Sequence, residues 1–78
     1  MKKLPILSGK EIIKVLQKIG CHQVRQSGSH IRLVCPNRRS ATVPNYRMVS
    51  RGLLRKILRD AELSFVEFEK LREAAKKI

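Results

Sequence analysis

Residues 25–33 read "RQSGSHIRL", and the fold turns on them. A glycine-centred turn, Ser27-Gly28-Ser29, separates Cys21–Gln26 from His30–Cys35, two short runs with the side chains of strands, so the segment predicts a β-hairpin. Ser40–Val43, beyond "PNRR", supplies a third strand and completes an antiparallel meander. In the second strand the two-residue period sends Ile31, Leu33 and Cys35 to one face, and His30, Arg32 and Val34 to the other. The first set requires helices over it, while the second faces solvent. The first strand leaves its register open, because Cys21 and Val24 are out of phase, and the face taken by His22 is open with it.

Working outward, Ser8 followed by Glu11 forms a capping box, which starts a helix that Gly20 terminates. Ile12, Ile13, Leu16 and Ile19 give it an apolar stripe, and Lys10, Lys14 and Lys18 line another side. On the far side of the hairpin, Pro44 ends the third strand, and "NYRMVS" leads to an N-cap at Ser50. Leu53, Leu54, Ile57, Leu58 and Ala61 form the apolar stripe of the next helix, with Arg51, Arg55 and Arg59 beside it. Ser64 and Glu67 are a second capping box. They open a short last helix whose Phe68, Leu71, Ala75 and Ile78 share a face, and Glu73 and Lys77 are spaced to pair on it. The expected class is therefore α+β: a two-layer sandwich with helices on one face of a three-stranded antiparallel sheet, ordered α-β-β-β-α plus a short C-terminal helix. That outline is shared with double-stranded-RNA-binding domains, an analogy of shape alone. Residues 1–78 are expected to make a single domain, too small to enclose a deep active site.

The charge pattern narrows the function. There are 18 Lys and Arg against 6 Asp and Glu, a formal net charge of +12 in 78 residues. No carboxylate occurs between Ile12 and Arg59. Such one-signed charge repels itself unless a polyanion is the partner, and nucleic acid is the first candidate, ahead of an acidic protein or an anionic membrane surface. The apolar run Leu4–Leu7 is interrupted by Pro5 and is too short for a signal-peptide core or a membrane span, which suggests a cytoplasmic protein without a membrane partner. Cys21 and Cys35 form no C-x-x-C pair and are too few for a disulfide framework, so they read as buried small hydrophobes. With His22 they lack the spacing of a zinc site, and no metal or other cofactor is expected.

His30 and Arg32 stand two residues apart on one strand face, with Cα atoms about 6.5 Å apart at ~3.3 Å per residue. A guanidinium can hold a phosphate while a neighbouring imidazole exchanges a proton with a hydroxyl. RNA carries that hydroxyl itself: its 2′-OH can attack the adjacent phosphodiester, so neither a protein nucleophile nor a metal is needed. A serine hydrolase is disfavoured, since no acid stands near His30 to complete a triad. Instead, the surrounding cations favour a neutral imidazole able to accept a proton. His30 is thus the candidate catalytic residue. Arg25, Gly28, Ser29, Arg32, Arg38 and Arg39 are candidate RNA-binding positions, with the amides of Gly28 and Ser29 available to a developing oxyanion.

"LSGKEIIKVLQKIGCHQVRQSGSHIRLVCP", then "TVPN", then "GLLRKILRDAELS", resembles the HicA (YcfA-like) toxins of HicA–HicB toxin–antitoxin modules, from Leu4 to about Phe68. The resemblance implies a double-stranded-RNA-binding-like fold, mRNA interferase activity with the catalytic histidine at His30, and inhibition by a cognate HicB-type antitoxin. Gly28 and Ser29 match the turn that presents the histidine. The sequence departs from the family at Tyr46, where many members have histidine, and at Leu53, Glu62 and Cys21, which replace a frequent threonine, glycine and aromatic. Two other readings use the same charges. One is a non-catalytic RNA-binding module; the other is a DNA-binding regulator that places the Arg51, Arg55, Arg59 helix in a major groove.

Overall fold

A computed structural model describes residues 5–76. The order is α1 (Gly9–Gln17), β1 (His22–Ser27), β2 (His30–Val34), β3 (Ala41–Pro44), α2 (Arg51–Asp60) and α3 (Phe65–Lys76). The strands form one antiparallel sheet in the order β1-β2-β3. This is the expected α+β layout, an open three-stranded sheet with three helices. Ile31, Leu33, Ala41 and Val43 are buried on its inner face, against Ile12, Leu16, Leu54 and Phe68, all four at 0% exposure.

The local signals act as the sequence implies. Ser8 accepts from the Glu11 amide and Glu11 from the Ser8 amide, at 3.1 and 2.9 Å. Ser64 and Glu67 repeat the exchange at the start of α3. Ser50 caps α2 through the Leu53 amide. Helix ends also repeat one another. After α1, Gly20 has φ 92°, with Gly20 N–H donating to Gln17 and Cys21 N–H to Leu16. After α2 the same pattern recurs around Glu62, at φ 54°, with bonds to Arg59 and from Leu63 to Leu58. Both are Schellman endings, and the second places a glutamate where glycine is the easy choice.

Four expectations need correction. The last helix is not short: its 12 residues make it longer than α2, with 10. Its Ala75 side chain, with Lys77 and Ile78, lies outside what the structure describes, and the ion pair seen on this helix is Arg72 to Glu69 at 2.8 Å. The third strand runs Ala41–Pro44 and not Ser40–Val43; Pro44 ends it, as read, and sits opposite His30, where the end of a strand tolerates a missing donor. Leu53 belongs to the apolar period of α2 but remains 38% exposed. Cys21 and Cys35 are buried, as read, yet joined in a disulfide. The reason is geometric: His22 pairs with Val34, so the flanking cysteines fall on the next rung of the hairpin.

The segment between β3 and α2 is fastened to the N-terminal region. Val49 N–H donates to the Leu7 carbonyl at 2.7 Å, and Gly9 N–H to the Tyr46 carbonyl at 2.8 Å. A Cβ at Gly9 would collide with the Pro44 carbonyl oxygen, so only glycine lets α1 start this close to the end of β3.

Candidate functional site

The β1–β2 hairpin is closed by two residues, Gly28 and Ser29. Gly28 has φ 59° and Ser29 keeps a negative φ, the pattern of a type II′ turn with its glycine in the first central position. Gln26 Nε2 donates to the Gly28 carbonyl at 3.0 Å, and Asn45 N–H to the Ser29 carbonyl at 2.6 Å. The turn is thereby held from both sides, and His30 emerges from it exposed on the outer face of the sheet.

Register decides what stands beside His30. Across the hairpin, Ser27 pairs with His30 and Arg25 with Arg32, while Thr42 pairs with Arg32 from β3. Directly opposed residues share a face. The register shifts between Gln23 and Arg25, leaving Val24 as a bulge. This resolves the ambiguity of the first strand. Before the bulge His22 faces outward with Val34; after it Arg25 faces outward with Arg32. Arg25, Ser27, His30, Arg32 and Thr42 line one shallow concavity of about 380 Å³. Within it Arg32 Nη2 donates to Ser40 Oγ at 2.7 Å.

His30 also borders a second depression, of about 210 Å³, between β3 and α2. Its walls are Thr42 and Pro44 on one side, Leu53 and Ile57 on the other, and Tyr46 from the connecting loop. Lys56 and Asp60 complete it. Here the expectation of an acid-free surface around His30 fails. Asp60 lies just beyond the carboxylate-free stretch in sequence, and α2 carries it back to the groove that His30 lines. Asp60 is half-buried. Tyr46 stands out in the sequence as a departure from the family, and the site residues missed there are Lys56 and Asp60. The one local signal for them is the Leu53, Lys56, Ile57, Asp60 spacing, which puts all four along one side of a helix.

Neither Arg38 nor Arg39 lines the concavity beside His30. Arg38 Nη1 donates to the carbonyls of Ala61 and Glu62, at 3.2 and 2.5 Å, and Arg39 N–H donates to Glu62 Oε2 at 3.0 Å. They bind the β2–β3 connection to the end of α2, because that end presents carbonyls and a carboxylate with no helical partner. Among the described residues, no three of His, Cys, Asp and Glu are grouped to hold a metal ion. No helix there is long and apolar enough to cross a membrane.

Fold and site together define a small α+β protein that displays one histidine between arginines on an uncovered, strongly basic sheet. Residues 9–63, from the start of α1 to the residue after the α2 ending, match the model of a family described as HicA toxin of bacterial toxin-antitoxin. The chain belongs to that family: it is the toxin of a toxin–antitoxin system, and its counterpart is a cognate antitoxin. No curated protein matches it.

Proposed function

We propose that the protein is a metal-independent endoribonuclease acting on mRNA, with His30 as the proton acceptor. The observation that carries this reading is the exposure of His30 at the rigid turn, on the same face as Arg25 and Arg32. RNA lies across the open sheet, and one phosphate sits between the two guanidinium groups. The His30 imidazole takes the proton of the ribose 2′-OH, the 2′-oxygen attacks phosphorus, and the P–O5′ bond breaks. Solvent protonates the departing 5′-oxygen. The product is a 2′,3′-cyclic phosphate and a free 5′-hydroxyl. Arg32 reaches this phosphate by exchanging its bond to Ser40, a neutral partner, for a charge-assisted one that is about twice as strong. In this reading the amides of Gly28 and Ser29, in the turn that precedes His30, serve the phosphorane oxygens.

The experiment is cleavage of purified RNA in chelator. His30→Ala lowers the rate by about 10²- to 10⁴-fold, the range for loss of a general base, while circular dichroism is unchanged. DNA of the same sequence resists, because it lacks the 2′-OH. Equal cleavage by the folded His30→Ala variant overturns the mechanism. Binding to RNA without any cleavage by the parent points to the non-catalytic RNA-binding reading.

A further inference from the structure

We infer that the groove between β3 and α2 is a base subsite adjoining the cleaved phosphate, and that Asp60 makes it select bases carrying an amino group and reject uracil. The inference rests on the reading of the outer sheet as an RNA-cleaving surface, since it is His30 that joins the two depressions. A nucleotide whose phosphate lies by Arg25 and Arg32 has its neighbour's base at the mouth of this groove.

The walls suit a flat aromatic ring. Pro44 and Ile57 are buried beneath, and Tyr46 and Leu53 are partly open to solvent at 41% and 38% exposure, leaving apolar surface for a ring to cover. Stacking on an aromatic side chain contributes about 1–3 kcal/mol per base and does not depend on which base it is. The polar pair does the choosing. The Asp60 carboxylate makes no hydrogen bond or ion pair with the other described residues, and it only accepts. Lys56, one turn earlier on α2, only donates and lines the same groove.

A carboxylate seeks N–H groups on the edge of the base. Cytosine offers N4–H₂, adenine N6–H₂, and guanine N1–H beside N2–H₂. Uracil offers only N3–H, flanked on each side by a carbonyl oxygen, so a carboxylate reaching for it meets O2 or O4 as well. Cytosine and uracil have the same size and stack alike, which isolates the effect of the amino group.

The test is a titration of the intact protein with cytidine and uridine 3′-monophosphates, following the methyl resonances of Leu53 and Ile57 by NMR. The cytidine nucleotide is expected to bind about 5- to 10-fold more tightly, the lower part of the range for a carboxylate–amino contact because the groove is open. Asp60→Asn brings the ratio close to one, since an amide can serve either base. Asp60→Ala does the same and guards against a fortuitous effect of the asparagine. The inference is overturned by equal binding in the parent, by a ratio that survives both substitutions, or by shifts confined to Arg25 and Arg32. Absence of any nucleotide response at these methyls also overturns it and leaves the groove to a protein partner. Mapping of RNA cleavage is run in parallel and fails independently: a base preference without cleavage defeats the proposed reaction and supports the subsite, and cleavage without the preference does the reverse.

Discussion

The two ends of β2 carry the same kind of side chain and use it in opposite ways. At the turn end, Arg25 and Arg32 stand exposed beside His30, and among the described residues the side-chain hydrogen bond of Arg32 is to a serine hydroxyl. At the far end, Arg38 is half-buried and committed to the carbonyls that finish α2, while Cys35 is bonded to Cys21. An arginine given no permanent partner is available to a ligand, and one that closes a helix end is part of the scaffold. Charge counting cannot separate the two, whereas hydrogen-bond partners can.

This division is open to attack by substitution. The largest effect on the scaffold end is expected from Cys21→Ala with Cys35→Ala, which frees a loop with a sequence separation of 14. Chain-entropy reasoning gives a loss of ~3 kcal/mol for a loop of this size. Urea unfolding measures it, and RNA cleavage per folded molecule stays near that of the parent. Arg38→Ala comes next, at about 2 kcal/mol, as two carbonyl acceptors lose a charged donor. It appears as a lower midpoint in the same unfolding experiment, again without a change in cleavage by the folded fraction. Arg32→Ala reverses the pattern: cleavage falls about 10-fold, the equivalent of one lost charge-assisted contact, while stability shifts by less than ~0.5 kcal/mol. If Arg32→Ala instead lowers stability and spares cleavage, the assignment of the two ends is wrong.

The smallest effect concerns pH. The Glu67 carboxyl is held below its ordinary value, first by the backbone of Ser64 and then by its side chain. A carboxyl lowered on folding stabilises the protein above its unfolded pKa, and that contribution fades as pH falls through the folded one. The acid limb of the stability curve is therefore expected to be slightly steeper in the parent than in Glu67→Gln, as read by thermal unfolding across the carboxylate range.

Much of this molecule is legible in its sequence, and the reason is locality. The pairs Ser8 with Glu11 and Ser64 with Glu67 act within one helical turn, and Gly28 acts within two residues of His30, so their partners are fixed by spacing alone. Arg38 is not legible in this way, because its acceptors, at Ala61 and Glu62, lie more than twenty residues away and come into reach only after α2 has packed. Asp60 is hidden for a related reason: the stretch without carboxylates ends one residue before it, yet α2 folds back beside β3. The cysteines lie between these cases. Counting rungs from Gly28 and Ser29 puts Cys35 opposite His22, and only the extra residue at Val24 shifts the register so that Cys21 meets Cys35, so the hairpin brings the cysteines close by spacing while the cross-link itself waits on the bulge. Leu53 shows the limit of periodicity, which identifies the side of a helix that can be buried but not how far the neighbouring strand extends to cover it.

The surplus residue at Val24 has a consequence out of proportion to its size. Strict alternation from His22 would turn Arg25 to the underside, with Gln23, and the partner of Arg32 across the ribbon would be a different side chain. One additional link in the chain resets odd to even, so that two basic groups from neighbouring strands come to stand shoulder to shoulder at the histidine. The chemistry of the upper surface thus depends on the parity of a six-residue strand, a property that no single side chain carries and that one deletion would invert.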